Sequence, residues 1–139
     1  MTGKVLVADD DVRVRKVVVT TLGATYRLFE AKDGEQALAT ARREMPDVLL
    51  LDVRMPVFDG LEVCRRLKGD PATAHIRIVL LTGLGADDDR AAGEKAGADA
   101  YFVKPFSPRS LLGKVAEMMG APMLDERPQR VPLIERARV

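Results

Sequence analysis

Apolar and polar residues fall in blocks along this chain. Compact apolar runs are separated by longer stretches in which apolar residues recur every three or four positions. The clearest run is Val48-Leu-Leu-Leu51, which has no polar alternate and reads as a strand buried on both faces, as in a parallel sheet. Lys4–Ala8, Tyr26–Ala31, Ile76–Leu81 and Ala100–Val103 are read as the other strands. Between them, Val14, Val17, Val18, Thr21 and Leu22 lie at helical spacing, and Gly23 stops that helix. Ala37, Leu38, Ala41 and Met45 form a second stripe, ended by Pro46. Leu61, Cys64 and Leu67 form a third that stops at Gly69, and an alanine-rich fourth helix ends at Gly97. Leu111, Leu112, Val115, Met118 and Met119 form the last stripe, closed by Gly120. Helix starts are marked as well. Asp33-Gly-Glu-Gln36 and Asp59-Gly-Leu-Glu62 read as capping boxes. Asp87–Asp89 place negative charge at a helix N-terminus, and Ser107-Pro108 is an N-cap followed by proline at the first helical position.

Strand and helix thus alternate five times, which predicts an α/β fold with a parallel sheet and right-handed crossovers. Residues 1–120 are expected to form one domain. Residues 121–139 differ in composition, with Pro122, Pro128 and Pro132 among Arg and Glu, and read as a C-terminal tail or linker with a short helix from Leu133.

Composition narrows the class of protein. The 139 residues are 47% apolar and 31% charged, enough for a hydrophobic core. With 22 basic and 21 acidic residues the net charge is +1, which gives no reason to expect direct nucleic-acid binding. The single cysteine, Cys64, excludes an internal disulfide and reads as a buried helical residue. No apolar run approaches the ~18 residues of a membrane helix, so a cytoplasmic location without membrane contact is expected.

The chemistry collects at strand ends. In open α/β sheets, ligands bind beyond the carboxyl ends of the strands. The first strand ends in Asp9 and Asp10, the third in Asp52, the fourth in Thr82 and the fifth in Lys104. Carboxylates brought together in this way need a cation, and Mg²⁺ suits one or two carboxylates with water and phosphate. Lys104 adds a fixed positive charge, Thr82 a hydroxyl, and Gly83 leaves room beside it. A metal, a lysine and a hydroxyl around one carboxylate suit a phosphoryl group in transfer, with Asp52 as nucleophile. Taken singly, each residue has a plainer reading. Asp9–Asp11 serve equally as helix-terminal charges, Thr82 as a structural hydroxyl, Lys104 as a surface residue and Tyr101 as a core aromatic. Asp59 is read as a cap, and His75 as a loop residue without a role in transfer.

The chain resembles the receiver domain of bacterial two-component response regulators from about Lys4 to Gly120. The pieces that carry the likeness are Val5-Leu-Val-Ala-Asp-Asp10, Leu51-Asp-Val-Arg-Met-Pro56, Asp59-Gly60, Val79-Leu-Leu-Thr-Gly83 and Gly97-Ala-Asp-Ala-Tyr-Phe-Val-Lys-Pro-Phe106. The resemblance implies a flavodoxin-like (βα)5 doubly wound sheet in strand order 2-1-3-4-5. It implies that Asp52 accepts a phosphoryl group from a sensor histidine kinase or phosphotransfer protein. Asp10 would bind Mg²⁺ directly, Asp9 largely through water, and Arg54 by its backbone carbonyl. Lys104 and Thr82 would contact the phosphoryl group, Thr82 and Tyr101 would be the switch pair, and the Lys104–Pro105 peptide would be cis. Gly83 stands where the family more often has alanine. The output would lie in a downstream protein or output domain, and the only catalysis would be the chain's own phosphoryl transfer and dephosphorylation. Two other functions stay in view. One is an aspartate-nucleophile phosphatase of the haloacid-dehalogenase type, for which Asp9-Asp10-Asp11-Val12-Arg13 nearly fits but has Arg13 where threonine or valine belongs. The other is a receiver-like interaction module that takes no phosphate.

Overall fold

The computed structural model describes residues 3–83 and 87–124. Strands β1 (Lys4–Ala8), β2 (Arg27–Ala31), β3 (Val48–Asp52), β4 (Arg77–Thr82) and β5 (Ala100–Val103) alternate with helices α1 (Val12–Leu22), α2 (Gly34–Glu44), α3 (Gly60–Lys68), α4 (Asp87–Ala96) and α5 (Pro108–Leu124). The sheet is wholly parallel in the order β2-β1-β3-β4-β5. This is the doubly wound, flavodoxin-like arrangement.

The apolar runs are continuous because both faces of the sheet are covered. Leu6, Ala8, Leu49, Leu51, Ile78 and Leu80 pack with Ala37, Leu38, Ala41, Val63, Cys64, Leu67 and Ala96, beneath α2, α3 and α4. The alternate residues Val5, Val7, Val48, Leu50, Val79 and Leu81 meet Val18, Leu22, Leu111, Val115 and Met118 of α1 and α5. The register Leu6↔Leu49↔Ile78 keeps like-facing residues abreast across the three central strands. Each fully buried leucine there contributes about 1.5–3 kcal/mol by removal from water.

Several local expectations need correction. Met45 is not part of the α2 stripe. It adopts a left-handed conformation (φ 49°) as the C-cap and is 37% exposed, because the approach of Pro46 ends the helix first. Val17 and Leu112 are exposed, so α1 and α5 seat narrower stripes than the spacing suggests. Gln36 does reach back in its capping box, but to the Lys32 N–H (3.1 Å). Asp59 caps α3 by accepting from the Glu62 N–H (2.9 Å), yet Glu62 does not return the bond. Its carboxylate turns to Arg65 and Arg66, both 2.8 Å away, which offer charge-assisted bonds instead. Gly120 does not close the last helix, since α5 runs on to Leu124. The helix expected from Leu133 lies outside the described residues. Cys64 is buried as expected, with its Sγ donating to the Ala96 carbonyl (3.5 Å), and burial pushes its thiol pKa up to about 11.

Two glycines fix the loop that follows β3. A Cβ on Gly60 would lie 2.2 Å from the Asp52 carbonyl oxygen, and one on Gly34 would lie 2.0 Å from that of Phe58. Their own N–H groups bond to Val53 O (2.7 Å) and Pro56 O (3.1 Å). Backbone packed this closely leaves no room for a methyl group, and overpacking of this kind costs roughly 1–3 kcal/mol. Gly60→Ala is therefore expected to lower the unfolding free energy by about that amount, read as a lower urea midpoint with m unchanged. A midpoint equal to wild type would show that the loop yields without cost.

Candidate functional site

The strand order reverses between β1 and β3, and the crevice at that switch point is where doubly wound sheets bind ligands. The residue after β1 and the last residue of β3 therefore stand side by side. Asp9 is fully buried, Asp52 is 7% exposed, and Asp10 points to solvent. One carboxylate oxygen from each of the three lies within 4.8 Å of the others.

Lys104 arrives from the far side. Its Nζ sits 2.8 Å from Asp9 Oδ2 and 3.2 Å from Asp52 Oδ1. The approach is fixed by backbone, since the Lys104 N–H donates to the Thr82 carbonyl at 2.7 Å. The rings of Phe102 and Phe106, stacked with centroids 5.0 Å apart, bracket the turn that holds Lys104. The Lys104–Pro105 peptide is cis. Thr82, 3% exposed, closes β4 beside this turn, and among the described residues no atom lies within 4 Å of where a Cβ on Gly83 would stand. Four of the strand-end residues singled out from sequence thus come together with Asp10 at one crevice. Tyr101 does not reach it. Its ring packs under α4, and its buried hydroxyl finds no hydrogen-bond partner among the described residues.

The electrostatics follow from crowding. Burial and the neighbouring Asp9 push the Asp52 carboxyl up to about 6, against the pull of Lys104 and a hydrogen bond from the Arg54 N–H. Burial opposes the charge of Lys104, but its bonds and attraction to Asp9 and Asp52 prevail and hold the ammonium above its usual pKa. Asp9 Oδ1 accepts from the Asp11 N–H (2.9 Å). Asp9 Oδ2 is buried and, among the described residues, has the Lys104 charge nearby but no well-directed hydrogen bond. A set of hard oxygen donors, one of them buried and short of a partner, suits a small divalent cation such as Mg²⁺.

Other contacts were not apparent from sequence. Arg15 donates to the Asp9 carbonyl (2.7 Å) and pairs with Glu30 (3.1 Å), tying α1 to the end of β1. The Arg54 guanidinium reaches Asp89 in α4 (3.2 Å), joining the loop after Asp52 to that helix. Their spacings of 6 and 35 residues carry no local signal, and only the strand order could have suggested them. Val14 and Val17 of α1 face Pro105 and Phe106 across a groove of about 500 Å³ that ends at Lys104.

A doubly wound parallel sheet with an acid-lined switch point and a lysine set into it is the frame of a phosphoryl-accepting signalling module. Comparison with known proteins agrees. The profile described as response regulator receiver domain matches residues 5–116, and the chain belongs to that family. It is 42% identical over 117 residues to the probable transcriptional regulator ycf27 of Guillardia theta, covering 84% of this chain and 45% of that protein. The chemotaxis response regulator CheY4 of Vibrio cholerae superposes with a TM-score of 0.79 at 34% identity, covering 85% of this chain and 99% of that one. The receiver domain of the sensor histidine kinase PA1611 from Pseudomonas aeruginosa PAO1, solved with a magnesium ion coordinated in its active-site cleft, gives 0.79 at 28% identity, covering 86% and 99%. The chain spans about half the length, or less, of the curated relatives it matches. No helix among the described residues is long and apolar enough to cross a membrane.

The raised pKa of Asp52 has a sign that stability measurements can read. The folded state holds this proton more tightly than the unfolded state, so ionised Asp52 destabilises the fold. That cost grows as pH rises from about 4 through about 6 and is constant above. Asp52→Asn removes it. In the absence of divalent metal, the variant is expected to gain on the order of 1–3 kcal/mol over wild type above about pH 6 and nothing near pH 4. Urea midpoints that stay parallel across that range would contradict the assignment.

Proposed function

We propose that Asp52 is the phosphoacceptor of a phosphorylation-dependent signalling switch. The observation that carries this reading is the position of the Lys104 ammonium, in contact with both the Asp9 and Asp52 carboxylates at the switch point. In the reaction, a carboxylate oxygen of Asp52 attacks phosphorus in a phosphohistidine presented by a kinase or phosphotransfer protein. The P–N bond breaks, the imidazole leaves and takes up a proton, and an acyl phosphate remains on Asp52. Asp9, Asp10, Asp52 and the backbone carbonyl of Arg54 would hold Mg²⁺, which supplies neutralisation of charge on the phosphoryl oxygens. Lys104 turns part of its charge to a phosphoryl oxygen, and its contact with Asp9 keeps it anchored. Thr82, buried at the end of β4, donates its hydroxyl to another. That donation draws Thr82 inward, and Tyr101 follows into the space released. The surface formed by α4, β5 and α5 changes as a result. This is a population shift, limited by how much more strongly the phosphorylated site holds the active arrangement.

The partner that delivers the phosphoryl group fits the groove between α1 and the turn at Pro105, which leads directly to Lys104. The phosphorylated surface acts on a downstream protein or on an output domain beyond the linker that follows the receiver. We place this work in the cytoplasm, where ATP-dependent kinases make the donor. The phosphatase alternative has no observation in its favour.

With a small-molecule phosphodonor and Mg²⁺, wild type is expected to be labelled and Asp52→Asn not. Undiminished labelling of the variant would sink the assignment. Thr82→Ala is expected to keep its labelling but lose most of the phosphorylation-dependent change around Tyr101. A full change in that variant would break the proposed coupling.

A further inference from the structure

Gly93 lies inside α4, where glycine weakens a helix relative to alanine. The reason for it lies across the contact with the sheet. A Cβ at this position would stand 2.3 Å from Leu80 Cδ1 and 2.9 Å from Tyr101 Cε1, closer than real Cβ atoms approach their neighbours. The Tyr101 hydroxyl is 3.5 Å from the same point. It is buried and finds no hydrogen-bond partner among the described residues. Above the ring, the Arg90 guanidinium lies 5.4 Å from its centroid. The ring is thus held against α4 by apolar packing with the core cluster and the bare α4 backbone, together with attraction to Arg90. It is opposed by a hydroxyl that would be better satisfied in water.

We propose that Gly93 is a positioning residue for the Tyr101 response. Its missing side chain, beside Leu80, leaves the place against α4 where the ring rests, so this one position sets the share of Tyr101 packed against α4 before Asp52 is modified, without belonging to the acidic site. The inference rests on the reading of Tyr101 as the residue that moves when Asp52 is modified. It goes further in naming what holds the ring beforehand.

The chain has two tyrosines and no tryptophan, so the full chain labelled with 3-fluorotyrosine gives one reporting resonance beside Tyr26, assigned with Tyr26→Phe. Fluorine spectra are recorded for wild type and Gly93→Ala, each with and without Mg²⁺ and beryllofluoride. In wild type the Tyr101 resonance is expected to shift when the mimic is added. In Gly93→Ala it is expected to start at or near the shifted position, and the further change on adding the mimic to fall several-fold. A Tyr101 resonance in Gly93→Ala that matches untreated wild type overturns the proposal. If the mimic fails to move Tyr101 in wild type, the switch reading falls, while the comparison of the two untreated proteins still decides the seat. Thermal melts give a second route if Gly93→Ala is poorly folded. Gly93→Ala is expected to lower Tm in the wild-type background and to lower it less in Tyr101→Ala, where the contact with Leu80 remains but the ring is gone. An equal loss of Tm in both backgrounds overturns the proposal.

Discussion

Two carboxylates and one ammonium, held within ion-pair distance at the reversal of the sheet, are the constraint on which the rest of this structure depends. Asp9 is fully buried and Asp52 nearly so. Like charges that close cannot both ionise without a cation between them. Lys104 supplies positive charge to both. Asp52 still takes up a proton more readily than an ordinary aspartate, and one oxygen of Asp9 lacks a directed bond among the described residues. Under the proposed function, a divalent cation would add positive charge at the place where a phosphoryl group adds negative charge.

The scaffold serves that pocket by removing freedom around it. Strands β1, β3 and β4 are buried on both faces, so their carboxyl ends cannot slide without turning apolar side chains out of both cores. The loop after Asp52 is pinned by backbone contacts at Gly34 and Gly60. The turn after β5 is fixed by the Lys104 N–H on Thr82 and the Phe102–Phe106 stack. Helix α4 packs on α3 and the sheet through Ala96 and Gly93, and it meets the site by an ion pair from an exposed Arg54, worth little in water, and the packing of Tyr101.

What the sequence disclosed and what it hid divide along a physical line. Strands showed through because burial on two faces forces unbroken apolar runs, and the site residues showed through because the runs end on them. The strand order itself came only by resemblance, since no local signal tells β3 to pair with β1. Features decided by competition between neighbours were hidden. Glu62 had a backbone partner and two arginines to choose from, and the charged partners won. Met45 lay at helical spacing but beside a proline, and the chain turned there. Val57 adopts φ 72° in the loop after Asp52, a conformation that a β-branched residue rarely takes and that nothing in its neighbours announces. The close contacts at Gly34, Gly60 and Gly93 arise between residues distant in sequence, so the reason for each glycine appears only in the fold.

A switch also needs its two states to be close in energy, and this sets a bound on the coupling. In the proposed switch, a charge-assisted hydrogen bond from Thr82 to a phosphoryl oxygen would be worth roughly 1.5–3 kcal/mol. At about 1.4 kcal/mol per factor of ten, it can move a two-state equilibrium by roughly tenfold to a hundredfold. A ring held against α4 by much more than that would not respond to phosphorylation at all. The Tyr101 hydroxyl, which has no hydrogen-bond partner among the described residues, matters for this reason. Burying a hydroxyl without a partner costs about 1–3 kcal/mol, the same order as the signal Thr82 can send. A hydrogen-bond acceptor placed beside that hydroxyl would make a more stable domain and a poorer switch. In the proposed switch, that cost would keep the ring within reach of the signal from Thr82.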